Sequence, residues 1–339
     1  MASPKRVALA GAGGWGRNIA RNLGRLRGAV FAAVCDTDPQ ALAALDGTPA
    51  SVRRVEDFAA LIADPEIDAV VVATPPETHH GLAASAIRSG KDVLVEKPLT
   101  LDPRDAEDLV RLAREHSRVL MVGHLLVYHP AVDLLRAVVR HGDLGDVHYL
   151  YFQRVNLGVI RREENSLWSL APHDVAVAID LLGESPRTVT AQGAAYLREG
   201  VEDVAFLQMR FPSGQMAAIH VSWLDPHKER TLTIVGSRKM AVFDDMEPTE
   251  KVRIYDRGVN RPDYLPFGEA LTLRFGDIVI PSIPTAEPLT IECQHFVDRL
   301  HDREQPRSDG ASGLAVVRVL AAATQSLRRG GAPVTLNAF

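Results

Sequence analysis

At 339 residues, 46% of them apolar and 24% charged, with a net charge of −5, the chain has the composition of an ordinary globular protein. The length suits two moderate domains, and the absence of a basic excess argues against a nucleic-acid partner. Cys35 and Cys293 are the only cysteines and show neither disulfide nor zinc spacing. No apolar run reads as a leader peptide or a bilayer span, so a cytoplasmic protein without a membrane partner is expected.

The first third alternates short β-branched runs, at 7–10, 30–35, 69–73, 93–95 and 119–122, with amphipathic helical patterns. Strands apolar on both faces and separated by crossover helices predict a parallel, doubly wound α/β sheet. Asp102-Pro103 marks the start of one such helix, a cap residue followed by a first-turn proline. After residue 123 comes one helix at 130–141, and then the rhythm changes to alternating strand patterns at 147–154, 188–195, 204–211, 215–223, 231–235, 240–244 and 251–255. Pro212-Ser213-Gly214 reads as a hairpin turn between two of them. Helices are expected at 172–182 and near 292–303, while the Pro-rich stretch 262–288 suggests no element. The expected division is a Rossmann domain over 1–122 and an α+β domain with a large open, mainly antiparallel sheet over 123–339.

Gly11-Ala12-Gly13-Gly14-Trp15-Gly16 follows the first strand and opens a helix, the context in which G-x-G-x-x-G binds a dinucleotide. Gly11 permits the tight turn, Gly13 lets a pyrophosphate approach, and Gly16 packs the helix on the sheet; Gly14 and Trp15 lie in the same cofactor-facing turn. Asp36 ends the second strand, where a carboxylate accepts from adenosine ribose hydroxyls and repels a 2′-phosphate, which favours NAD over NADP. Asp36-Thr37-Asp38-Pro39 is also a good cap and loop sequence.

Two further strings, Ala73-Thr74-Pro75-Pro76-Glu77-Thr78-His79 and Gly90-Lys91-Asp92-Val93-Leu94-Val95-Glu96-Lys97-Pro98, end the next strands at the edge where open α/β sheets hold ligands. With the glycine turn, they resemble the glucose–fructose oxidoreductase, inositol dehydrogenase and rhizopine catabolism family over nearly the whole chain. That resemblance implies a nicotinamide in the cleft between two domains, with Thr74, Pro75, His79 and Glu96 beside the cofactor and Lys97 as catalytic lysine; a surface ion pair is the plainer account of Glu96-Lys97. It also aligns His173 with the family's catalytic histidine. Pro172 suits a helix first turn, where the dipole keeps an imidazole neutral and available as a base.

The sequence departs from the family pattern at Ser169, where an aspartate is common, and before Tyr128, where an arginine is common. Tyr128, Asn156, Arg161, Arg162, Asn165, Ser169 and His173 are the expected substrate contacts, and a solvated loop is the competing account of the segment 154–165. Guanidinium and amide groups suit phosphorylated or polyhydroxylated ligands, so the substrate is expected to be a sugar or nucleotide-linked sugar. His124 and His129 read as core or loop histidines. No metal is expected, since no histidine–carboxylate group has ligand spacing. A non-catalytic regulator of the same fold would not need both Lys97 and His173, and a dehydrogenase of non-sugar substrates would present a more apolar loop. An uncovered sheet face implies a homodimer or homotetramer.

Overall fold

The computed structural model describes residues 3–45, 48–158, 160, 164–260 and 271–336. The chain forms two compact units: Met1–Tyr128 with Ala286–Ala321, and His129–Thr285 with Ala322–Phe339.

The first unit runs β1 (Lys5–Ala10), α1 (Gly14–Leu23), β2 (Ala29–Cys35), α2 (Pro39–Ala43), β3 (Arg53–Val55), α3 (Phe58–Ala63), β4 (Ala69–Val72), α4 (Pro76–Arg88), β5 (Asp92–Glu96), α5 (Pro103–Glu115) and β6 (Leu120–Gly123). Its strands are all parallel, in the order β3-β2-β1-β4-β5-β6, the doubly wound arrangement. Val70, Val71, Val93 and Val95 are fully buried, as strands covered on both faces require. Asp38, Asp57 and Asp102 cap α2, α3 and α5, each accepting from a backbone N–H two residues on. β3 gave no sequence signal, because its three residues include two exposed arginines.

The second unit holds α6 (Pro130–Arg140), β7 (Val147–Val155), α7 (Ser166–Leu182), β8 (Thr188–Ala194), β9 (Val204–Arg210), β10 (Met216–Ser222), β11 (Glu229–Gly236), β12 (Met240–Asp244), β13 (Val252–Asn260) and β14 (Thr272–Val279). With β15 (Val334–Thr335) these strands make a nine-stranded sheet, antiparallel except where β7 meets β10. α7 packs on β7, β9 and β10. Leu150, Phe152, Leu207 and Ile219 are buried, while the alternate positions Tyr149, Tyr151, Phe206 and Met216 on the opposite face are 36–51% exposed.

Two sequence expectations change. A single cut near residue 122 misses that α8 (Pro288–Asp302) and the first part of α9 (Gly310–Arg328) return to the first unit, where α8 packs on α1 and β1. The Pro-rich stretch contains β14, paired with β13, alongside residues 262–270, which lie outside the described ones. α9 has the length and composition to cross a membrane, yet Val316, Val317, Val319 and Leu320 are buried inside the protein, as in a core helix.

Candidate active site

In the first unit the glycine turn is shaped by close contacts. Gly11 has φ +100°, and a Cβ there would lie 2.4 Å from the Ala73 carbonyl oxygen; one at Gly16 would lie 2.0 Å from the Gly11 carbonyl oxygen. At Gly13 and Gly14 a Cβ would meet nothing within 4 Å. Those two glycines line an open cradle at the start of α1, whose N-cap, Gly13, supplies no side-chain acceptor. A pyrophosphate fits both the space and the free amides. Asp36 is tied to this turn: Ala12 N donates to its Oδ2 at 2.6 Å and Asp38 N to its Oδ1 at 2.9 Å.

The ends of β4 and β5 are held together by His79. It is 1% exposed, with Nδ1 2.8 Å from the Pro98 carbonyl and Nε2 2.9 Å from the Thr74 carbonyl. Burial lowers its pKa, against the pull of both carbonyls toward the protonated ring. The expected cofactor contact is therefore corrected, since both ring nitrogens face backbone carbonyls, the neutral ring donating to one of them, and His79 braces the two loops. Thr74 and Thr78 share a hydroxyl hydrogen bond of 2.6 Å, and Pro75 is the N-cap of α4.

Glu96 closes β5 opposite Gly123, where a Cβ would stand 3.0 Å from the carboxyl group. Trp15 Nε1 donates to its Oε1 at 2.6 Å and Lys97 N to its Oε2 at 3.2 Å. Burial raises the Glu96 pKa, opposed by Trp15 and by the charge of Lys97. Half-buried Lys97 follows and forms a cis bond with Pro98. His124, just after β6, is 1% exposed with neither ring nitrogen hydrogen-bonded. Burial first, then the Lys97 charge, pushes its pKa down to about 3.

Tyr128 does not line a substrate surface. It is fully buried, its hydroxyl 2.8 Å from Ser308 Oγ, with the Arg307 guanidinium over its ring and His295 beside it. An isolated tyrosine near a proline gave no hint of this burial, which depends on the C-terminal return of the chain.

In the second unit α7 begins six residues before Pro172. Asn165 is its N-cap: its Oδ1 accepts from Trp168 N at 3.0 Å, and its Nδ2 donates to Glu202 Oε2 at 2.6 Å. This corrects two expectations. Pro172 lies inside the helix, so His173 sits beyond the first turn and the dipole argument for its neutrality lapses. Asn165 is committed to capping rather than to a ligand. Ser169 and His173, four residues apart, share a helix face, and His173 is the more accessible. Asp174 turns away and takes Arg154 in a two-pronged, buried ion pair at 2.9 and 2.6 Å. Asn156 is half-buried, its backbone N donating to Ser222. Arg161 and Arg162 lie outside the described residues.

His129 caps α6 by accepting at Nδ1 from Ala131 N, which leaves its proton on Nε2, 3.5 Å from Asp245. That contact leads the forces pulling the Asp245 pKa down to about 2. Among the described residues no group of three or more His, Cys, Asp or Glu is placed to hold a metal ion.

Residues 5–124 match a family model described as an oxidoreductase family with an NAD-binding Rossmann fold, and residues 132–242 match a GFO/IDH/MocA C-terminal domain. The chain is 30% identical to a UDP-N-acetylglucosamine 3-dehydrogenase of Acidithiobacillus ferrooxidans over 77% of its length and 78% of the relative's. It is 25% identical to an inositol 2-dehydrogenase of Rhizobium meliloti, covering 95% and 96% of the two chains. A crystal structure of a putative oxidoreductase from Magnetospirillum magnetotacticum superposes with a TM-score of 0.81 at 31% identity, covering 95% of this chain and all of that one.

Proposed function

We infer that this chain, which belongs to the GFO/IDH/MocA oxidoreductases, uses NAD to move a hydride to or from a hydroxyl-bearing carbon of a sugar or nucleotide-linked sugar. One arrangement carries the reading. At the C-terminal edge of the parallel sheet, the open glycine cradle, Asp36 and the linked Trp15, Glu96 and Lys97 stand together. Gly11, Gly13, Gly14 and Gly16 hold the pyrophosphate, Asp36 the adenosine ribose, and Glu96 the nicotinamide ribose, with Thr74 and Pro75 supporting that end. When bound, the nicotinamide supplies the hydride donor or acceptor.

Proton handling then falls to the protein. Lys97 and His173 are the assigned acid–base pair: one takes the hydroxyl proton as hydride leaves the same carbon, and the reverse reaction returns it. Ser169, on the His173 face of α7, and Asn156 supply polar contacts for the substrate. The sugar class is supported by the activities of the curated relatives. A second copy of the chain covers the sheet face that exposes Tyr149, Tyr151, Phe206 and Met216, giving a homo-oligomer. Cys35 and Cys293, both free and buried, suit a reducing compartment.

The test is NADH formation from NAD with free sugars, inositol and UDP-linked sugars, paired with calorimetric titration of NAD. Turnover confined to one sugar class identifies the substrate. A protein that binds no dinucleotide, or one that binds it and acts on none of these alcohols, refutes the assignment.

A further inference from the structure

One end of the sheet in the second unit carries a row of charge that the proposed reaction does not use. Along β7 and β11 the cross-strand pairs Leu150–Ile234 and Phe152–Leu232 are buried, and the next pair on that face is Arg154–Arg230. Arg154 reaches Asp174 of α7, so this is the face on which the helix packs. Side chains directly opposite on antiparallel strands stand about 5 Å apart at Cβ, and like charges there repel. Arg154 is matched, with both prongs on Asp174 at 2.9 and 2.6 Å. Arg230 is matched less well. Its backbone carbonyl accepts from Asp245 N, yet its guanidinium stands 3.9 Å from Asp245 Oδ2, beyond hydrogen-bond reach. Asp245 is shared besides with His129 and Lys251, each 3.5 Å from its Oδ1. Burial first, then the Arg154 charge, lowers the Arg230 pKa, against the pull of Asp245 and Asp174. The fixed cations Arg154, Arg230 and Lys251 thus outnumber the carboxylates Asp174 and Asp245 in the row. The excess lies on an accessible member, since the Arg230 side chain is 43% exposed against 11% for Arg154 and 4% for Asp174.

We propose that Arg230 is a substrate-recognition residue, a two-pronged donor for an oxyanion, phosphate or carboxylate, carried by the sugar. The planar fork of a guanidinium matches two oxygens of such a group, and an anion there answers the repulsion between Arg154 and Arg230. The position suits a substrate contact: Arg230 stands opposite Arg154, Arg154 grips Asp174, and Asp174 follows His173 on α7. The inference rests on the reading of His173 as a group that meets the substrate. It narrows the sugars to acidic ones, a nucleotide-linked sugar, a sugar phosphate or a uronate, because a neutral sugar leaves the Arg230 charge unanswered.

The probes are UDP-N-acetylglucosamine, N-acetylglucosamine 1-phosphate and glucuronate, each set beside its neutral counterpart, N-acetylglucosamine or glucose. They are titrated by calorimetry into the NAD-loaded protein at one fixed salt concentration, and NADH formation is followed in parallel. At least one acidic compound is expected to bind about tenfold more tightly than its neutral counterpart, and the best of the three identifies the source of the oxyanion. Arg230→Met keeps the stem and loses the charge. It should weaken that compound about 10- to 100-fold, raise its KM rather than lower kcat, and flatten the salt dependence of binding. Arg230→Lys, a point charge without the fork, should recover part of the loss. Arg210→Met removes the same charge from an exposed position on β9 and should leave affinity and turnover unaltered.

Neutral sugars bound as tightly as acidic ones, or an Arg230→Met variant that weakens both alike or neither, overturns the inference. Oxidation of a neutral sugar by a protein indifferent to the acidic compounds leaves the oxidoreductase reading in place and removes the oxyanion site alone. Arg230-dependent binding of an acidic compound, with no NADH formed from it or from any sugar, keeps the site and sinks the reaction instead.

Discussion

Replacing Asp36 by asparagine separates the charge of this residue from its shape. Its two oxygens already accept from Ala12 N and Asp38 N, so the carboxylate is fixed at the mouth of the glycine turn before any ligand arrives. Asparagine keeps one of those acceptors and loses the charge. A hydrogen bond to a charged group contributes about 1.5–3 kcal/mol against roughly 0.5–1.5 for a neutral one, so NAD should weaken about tenfold. NADP moves the other way. The 2′-phosphate would stand roughly 4 Å from the carboxylate, and each pair of like charges costs about 1–4 kcal/mol between aqueous and partly buried dielectric. Removing the repulsion should strengthen NADP by about tenfold or more, and the NAD to NADP preference should collapse by on the order of 100-fold. Calorimetric titration of both cofactors at one fixed salt concentration measures the ratio, and a melting curve shows whether the turn survives. Equal affinities in the unaltered protein, or a ratio that Asp36→Asn leaves in place, would show that Asp36 does not select the cofactor.

Lys97→Ala should abolish turnover while leaving NAD affinity within about tenfold, since the side chain acts on the reacting oxygen; an unchanged kcat would place the chemistry elsewhere. Asp174→Ala leaves the Arg154 guanidinium buried without its counterion, for a loss of about 3–5 kcal/mol in urea unfolding, and a loss below about 1 kcal/mol would mean that water reaches the pair. His124 gives an acid-sensitive slope. The unfolded ring protonates near its ordinary value of about 6.5 and the folded one only near about 3, so its contribution is complete above about pH 6.5 and drains as pH falls between the two. His124→Phe should flatten that stretch of the stability profile and melt higher than the unaltered protein at about pH 5; an unaltered slope would refute the assignment.

The dinucleotide half of the site was legible because its chemistry is local. A tight turn, a close phosphate approach and a helix start need glycines at fixed spacing, and strand ends in a doubly wound sheet are ligand edges whatever lies beyond them. His79 and Tyr128 were misplaced for the opposite reason. Each is decided by tertiary burial, His79 by the approach of Pro98 and Tyr128 by Ser308 and Arg307 returning from the C-terminal segment. The start of α7 was misread because Pro172 is a strong local sign of a first turn, whereas Asn165 outcompetes it with two side-chain hydrogen bonds. β14 hid among prolines and stands largely exposed, without the alternation that burial on one face imprints.

Burial gives the surroundings of Lys97 a common tendency. His124 is held neutral and adds no positive charge beside Lys97, and Glu96, which precedes it in the chain, is pushed toward its own neutral form even as Lys97 and Trp15 draw it back. A half-buried ammonium, partly withdrawn from water, acts on a new charge more strongly than the same ammonium in solvent. Oxidation of an alcohol builds negative charge on its oxygen as the proton departs, and ketone reduction builds it as hydride arrives. In both directions a fixed cation aimed at that oxygen lowers the barrier without reorganising. On the role proposed for Lys97, the neutral His124 and the raised Glu96 carboxyl at the end of β5 set the electrostatic surroundings in which its ammonium would meet the substrate.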